Sequence, residues 1–481
     1  MKEKFLKRSS GVLMPIFSLP GKYSCGSFGQ EAKEFAELLA KGGFSYWQVL
    51  PFCMTDEYNS PYKSYSAFGG NPRFIDLDIL AKKGLLTAEE LASAREKTPY
   101  SCEHDRLEKE RLPLLFKAAS RVKNREPIEK FIYDNEYLAQ VCRFMAIREN
   151  NGDKPWFKWE NEEYNAETLF AWQFIQYEFF TQWENVKAHA NARGIKIIGD
   201  IPIYVAYDSC DVWANREMFL TDKDGKPSCV AGVPPDYFAK DGQLWGNPLY
   251  DWDKMKKDGY SWWKARMSHM LSIFDGVRID HFRGLEAYWS IPADAETAKA
   301  GKWVKGPGED FVAAMKEISG DGLIIAEDLG DITTEVIELR DGAGYPGMRV
   351  LQFGFLGDND SPHLPHNYIN NCIAYTGTHD NNTLLGWMWD LDADMKARAL
   401  DYFGYSGEWD KSYPALIRAM LASAAGIVIL PIQDLLFYGS DTRVNKPGVP
   451  DGNWAYRVTR DQLLSIDWAK YKHQNELYAR I

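Results

Sequence analysis

Nowhere in the 481 residues do apolar side chains run together for the ~18 positions that a membrane-spanning helix needs. There is no run of lysine and arginine of the kind that tracks phosphates. With a formal net charge of −12, the composition argues against nucleic acid and anionic membrane as partners. Cysteine is sparse. Cys25, Cys53, Cys102, Cys142, Cys210, Cys229 and Cys372 are odd in number and scattered, and no two form Cys-x-x-Cys. That excludes a disulfide framework and a zinc ribbon, and fits reduced thiols in a cytoplasm. The opening MKEKFLKRSSGVLMPIFSLPG is basic, but Pro15, Ser18 and Pro20 break its apolar run and no small-residue cleavage site follows, so a strand is expected there rather than a signal peptide.

Several chemical motifs are missing too. The chain has no P-loop and no G-x-S-x-G. Gly342, Gly344 and Gly347 match G-x-G-x-x-G, but a helical stretch precedes them and a strand follows, the reverse of a dinucleotide site. His363-x-x-His366 lies among prolines and is expected to be a solvated loop pair rather than a metal site. Asp222-Lys-Asp-Gly225 lacks the remaining ligands of a calcium loop and is expected to be a tight turn. No internal repeat or low-complexity tract is present.

What is abundant is aromatic: 17 Trp, 26 Tyr and 25 Phe. Most must build core, but some could be flat platforms for sugar rings, which need polar partners beside them. Eight short runs dense in Val, Ile and Leu resemble buried parallel strands: 11–17, 46–52, 195–203, 275–282, 322–330, 348–354, 372–380 and 426–435. Helical spacing marks 30–41, 167–193, 310–318 and 411–425. Alternation of this kind predicts an α/β protein, a closed (β/α)8 TIM barrel, although an open doubly wound sheet gives similar local patterns. Residues 80–190 are too long for one crossover and predict an inserted, mainly helical subdomain, with a capping box at Thr87–Glu90. Residues 208–256, rich in Gly, Pro, Asp and Trp, predict an inserted, irregular functional loop. The whole of 1–481 is then a single catalytic barrel carrying both insertions.

Charges gather at the C-terminal ends of the predicted strands: Asp200, then Arg278, Asp280 and His281, then Glu327 and Asp328, then His379 and Asp380. In barrels that rim holds the site. A lone acidic residue there can be a helix cap; that reading is favoured for Asp328 and Asp331 and fits Asp200 less well. Arg278 and Asp280 are two apart and point to one side of the strand, and an Arg beside an Asp keeps a carboxylate ionised. Two carboxylates flanking a glycosidic bond suffice for retaining chemistry, one attacking and the other donating a proton. Glu327 follows the apolar run 323–326, which suits a raised pKa.

The set GVRIDHFRG (276–284), IIAEDLG (324–330) and YTGTHDNNT (375–383) resembles the α-amylase clan. SPYKSYSAFGGNP (60–72), GDIPIYVAYDSCDVW (199–213) and AGVPPDYFAKDGQLWGNPLYDW (231–252) resemble more closely its 4-alpha-glucanotransferases, the amylomaltases or disproportionating enzymes of glycoside hydrolase family 77. The likeness runs from residue 11 to the end. It implies Asp280 as nucleophile, Glu327 as acid/base and Asp380 as the carboxylate that binds O2 and O3 of the cleaved sugar. It also implies Arg278 as the partner of Asp280, and His379 and Asp200 as hydroxyl contacts. Tyr62 would stack under the sugar, with Gln243 and Trp245 on a loop over the acceptor side and Asp236 a further contact there. His281 is as readily a strand-end packing residue as a sugar contact. Asn382 stands where the family often has Asp, and Lys63 and Gly69 also depart from its pattern.

The activity so implied is retaining transfer of a glucanosyl unit between maltodextrins through a covalent intermediate. A hydrolase using water and a non-catalytic glucan-binding protein are the alternatives. The substrates would be maltooligosaccharides from starch or glycogen. No metal or organic cofactor is expected, because the energy of the broken bond is conserved in the new one.

Overall fold

In the computed structural model, which describes residues 5–56, 58–235, 240–449 and 451–481, each apolar run supplies a strand. Numbered in chain order, the strands are β1 Ser9–Leu13, β2 Tyr46–Gln48, β3 Lys196–Ile201, β4 Cys229–Val233, β5 Gln243–Pro248, β6 Gly276–Ile279, β7 Ala287–Pro292, β8 Lys302–Lys305, β9 Leu323–Ala326, β10 Gly347–Val350, β11 Cys372–Tyr375 and β12 Ile427–Pro431. Eight of them close a parallel barrel in the order β1-β2-β3-β6-β9-β10-β11-β12, with β12 paired back onto β1. The run predicted at 348–354 is strand only to Val350, and Leu351–Gly354 turns into a helix.

The barrel strands bury both faces, which is why they read as unbroken apolar runs. Outward residues such as Val277, Ile279 and Ile324 join the core shared with the helices. Inward residues Leu13, Ile198, Ile325, Met348, Ile373 and Ile429 form a separate core inside the barrel. The α1 helix, Gln30–Lys41, buries Ala32, Phe35, Ala36 and Leu39, one face of a helical period.

Between β2 and β3 lie α2 Leu77–Lys82, α3 Ala88–Ser93, α4 His104–Ser120, α5 Glu126–Tyr133, α6 Glu136–Asn150 and α7 Ala166–Asn191. Thr87 and Glu90 form the reciprocal capping box on α3. The α7 helix packs on α4, α5 and α6 and also on α1 before the chain enters β3. The last helix of the 80–190 stretch therefore doubles as barrel wall.

Residues 208–256 are more regular than expected. They contain β4 and β5, which pair with β7 and β8 in an antiparallel sheet of order β5-β4-β7-β8. The β7 strand starts a few residues after β6, so this sheet stands beside the C-terminal end of β6. All seven cysteines are free. Among the described residues no helix is long and apolar enough to cross a membrane.

Candidate active site

Inward positions at the C-terminal ends of the barrel strands are polar. Asp200 on β3 sits in register with Arg278 on β6. Arg278 Nη1 donates to both oxygens of Asp200, at 2.8 and 2.7 Å, and Nη2 donates to Asp280 Oδ1 at 2.8 Å. Burial disfavours the guanidinium charge, but Asp200 and Asp280 outweigh it and hold Arg278 well above its ordinary pKa. Asp200 is 1 % exposed. Its remaining partner is the Tyr62 hydroxyl, which donates at 2.6 Å. Asp200 is thus spent on Arg278 and Tyr62, while Asp280 keeps part of its carboxylate open.

Glu327 follows β9. It accepts from the His281 N–H at 2.7 Å and the Leu329 N–H at 2.9 Å. Burial dominates and, with Asp280 nearby, pushes its pKa up to about 8 against Arg278 and the two amides. Beyond β11, the Tyr62 ring stacks on His379, with centroids 5.0 Å apart and planes at 17°. His379 Nε2 lies 3.3 Å from Asp380 Oδ2. Burial works against the Asp380 charge, but His379, Asn445 and Arg278 together bring its carboxyl down to about 2.

His281 lies with φ at +50°, and its buried Nε2 has no hydrogen-bond partner among the described residues. Burial lowers its pKa to about 4. The Trp245 ring meets it edge-on at 4.9 Å, and the Trp245 indole N–H donates to Gln243 Oε1 at 3.1 Å. The antiparallel sheet therefore brings Trp245 and Gln243 beside the Asp280 strand end. Asp236 lies outside the described residues.

Three residues that the sequence reasoning passed over complete the wall. Asn445 Nδ2 donates to Asp380 Oδ1 at 2.6 Å, and Arg443 Nη2 donates to the Asp380 carbonyl at 2.5 Å. The Trp454 ring lies 5.9 Å from both Tyr62 and His379. All three come from 443–454, after β12. The signal available was a Gly/Pro loop holding Asn and Trp just past the last barrel strand.

Some expectations need correction. Asp328 caps no helix. It is 2 % exposed as a side chain, pairs with Arg340 and Arg349, and accepts from the Met348 N–H at 2.6 Å. Asp331 faces Arg283 at 3.8 Å, and the helix that follows, Thr334–Ala343, has no side-chain cap bond. His363 is not a solvated loop residue; its Nδ1 accepts from the Val350 N–H at 3.1 Å and burial lowers its pKa to about 4. Asp222 does make a turn, accepting from the Asp224 and Lys226 amides. Asn382 donates to Asp390 and Ser440, each within 2.9 Å, so its amide is engaged with the neighbouring helix.

Comparison with known proteins agrees with this frame. The family model for 4-alpha-glucanotransferase matches residues 14–463. A 4-alpha-glucanotransferase of Streptococcus pneumoniae serotype 4 is 46% identical, over 95% of this chain and 94% of its own length. One from Clostridium butyricum is 43% identical, over 97% of this chain and 100% of its own. The solved structure of the amylomaltase from Streptococcus agalactiae in complex with acarbose superposes with a TM-score of 0.95 at 37% identity, covering 98% of this chain and 100% of that one.

Proposed function

The chain belongs to the 4-alpha-glucanotransferase family, and on that premise we propose that it cuts α-1,4 bonds in maltooligosaccharides derived from starch or glycogen and passes the glucanosyl part to the 4-hydroxyl of another glucan. The observation that carries this is the contrast between two carboxyls on neighbouring strand ends. Asp280 is paired with a guanidinium, as a nucleophile requires, while burial keeps Glu327 protonated up to about pH 8, as a proton donor requires.

Asp280 attacks the anomeric carbon as Glu327 gives its proton to the departing glycosidic oxygen. A covalent β-glucosyl ester remains. Glu327, now a carboxylate, takes the proton of an incoming 4-hydroxyl, which displaces Asp280. Two inversions give net retention. Asp380, ionised and fixed by Asn445, holds O2 and O3 and favours the flattened, oxocarbenium-like ring. Arg278 keeps Asp280 paired, and Asp200 acts through Arg278 and Tyr62. Tyr62 and His379 flank the same sugar, His281 packs under Trp245, and Trp245 and Gln243 cover the acceptor side and exclude water. The 80–190 and 208–256 insertions are read as parts of this one catalytic unit.

One assay tests the reading. With maltotriose, the pure protein should give free glucose and a ladder longer than three units. Shorter products alone would make it a hydrolase, and no change would make it a glucan binder. Asp280→Asn should abolish the ladder while circular dichroism stays native.

A further inference from the structure

The helix Leu384–Asp390 begins four residues after Asp380, in the sequence LLGWMWD. Trp387 turns inward onto Phe355, with centroids 5.4 Å apart. Trp389 turns outward and stays 70% exposed. Trp409, from the short turn Trp409–Lys411, meets it at 5.5 Å and 73°. Lys396 Nζ stands 4.6 Å from the Trp409 ring. Around the pair, Asp390, Asp392, Asp394 and Asp410 are exposed. A single exposed apolar residue needs no explanation, but here the half-buried Trp409, packed on the core, holds the exposed Trp389 ring at a fixed angle.

The patch is tied to the catalytic rim. Asn382, two residues past Asp380, donates to Asp390 Oδ2 at 2.8 Å along the side of the helix. Gly386 leaves the room for this: a Cβ there would come within 2.4 Å of Asn382 Oδ1 and Ser440 Oγ. The last turn of the helix is therefore anchored to the loop that carries Asp380.

We propose that Trp389 and Trp409 form a second, non-catalytic binding platform for a long α-glucan chain whose reacting end lies at Asp280. This rests on the substrate assigned above. Flat apolar ring faces beside carboxylate acceptors and an ammonium donor suit a ligand with apolar sugar faces and many hydroxyls. The acidic rim disfavours an anionic ligand. The platform lies one short helix, about 10 Å, from the Asp380 loop. A chain held at one place is presented to the other at raised effective concentration. A long chain has more units than a trisaccharide with which to be held at both places at once.

The test compares maltotriose with long soluble amylose in the full protein and in Trp389→Ala. The variant should keep maltotriose turnover within roughly two-fold and lose roughly five- to ten-fold in kcat/KM on amylose, mainly through KM. Its retardation in a native gel containing glycogen should weaken. Trp409→Ala should behave alike, and Trp389→Phe, which keeps a flat ring, should recover most of the loss. An equal loss on both substrates, or no loss on amylose together with unchanged retardation, overturns the proposal. So does a wild-type dimer that Trp389→Ala dissolves while glycogen retardation stays the same, because the patch is then a self-association face. If the wild type converts neither substrate, the proposed function fails, and the gel comparison still judges the platform.

Discussion

Glu327 shows how opposed local effects set a protonation state. Its two backbone N–H donors favour a carboxylate, yet burial wins and sets its pKa at about 8. In its proposed role as proton donor, it should make kcat/KM fall as pH rises through about 8. Glu327→Gln should lower kcat by about 10²–10⁴-fold and remove that alkaline limb. The same shift bears on stability. Because the folded protein holds this proton more tightly than the unfolded chain, the contribution is complete below pH 4.5 and is lost as pH rises toward about 8, at up to about 1.4 kcal/mol per pH unit. Asp211 and Asp434, raised by burial to about 6, add the same sign over a lower window. Urea unfolding at pH 5, 7 and 8.5 should therefore show falling stability, and a shallower fall in Glu327→Gln. Equal slopes in the two proteins would show that Glu327 is ionised in the fold. At this scale the sequence made the placement of Asp280, Glu327 and Asp380 at the barrel rim legible, because carboxylates at the ends of apolar strands are conspicuous. Asn445 and Trp454 were not legible, because an Asn and a Trp in a Gly/Pro loop past the last strand are a weak signal, and nothing local ties such a loop to Asp380. Asp328 looked like a cap because sequence cannot tell an acid facing a helix N-terminus from one facing a buried arginine.

At the scale of elements, that Asp328 cluster explains a glycine. Asp328 joins β9 to β10 through the Met348 amide and to the helix Thr334–Ala343 through Arg340. A Cβ on Gly347 would stand 2.4 Å from Asp328 Oδ2 and 2.9 Å from Arg340 Nη1. Neither group can swing away, since both are buried and paired. Gly347→Ala should destabilise by about 1–3 kcal/mol, read as a lower urea midpoint at unchanged slope. An unchanged midpoint would mean that the ion pair gives way freely. The barrel strands were legible because burial on both faces leaves no alternation to misread. The antiparallel sheet was hidden for the opposite reason. The edge strands β5 and β8 are largely exposed, so QLWGNP and KWVK carry neither an apolar run nor a clean period of two.

For the whole molecule, closing the barrel requires the first and last strands to meet, and the C-terminus secures the seam. Arg480 is fully buried and has no acidic partner among the described residues. Its guanidinium donates to the carbonyls of Leu421 at 2.6 Å, Ser9 and Ser423 at 3.0 Å and Ala425 at 3.1 Å, where β1 and β12 begin. Asn475, on the helix Trp468–Leu477, accepts from Ser10 Oγ at 2.7 Å and donates to the Gly42 carbonyl at 3.0 Å. One helix and one arginine thus bridge β1, β12 and the end of α1. Burial, with Arg8 close by, lowers the Arg480 pKa to about 9, so the charge is held at a cost. Two effects oppose each other in Arg480→Met. The variant removes that desolvation cost, but it takes a donor from the Ser9 and Ala425 carbonyls, at about 1–3 kcal/mol for each one left unsatisfied, while the Leu421 and Ser423 carbonyls still accept from Arg8. With two acceptors left short against one charge, a net loss of stability is expected, about 1–3 kcal/mol by that same scale. The site lies at the other end of the strands, so turnover per folded molecule should not change. A lower unfolding midpoint with native specific activity at 25 °C is the expected pair of results. A variant as stable as the parent would show that the carbonyls find other donors and that strand pairing alone closes the barrel.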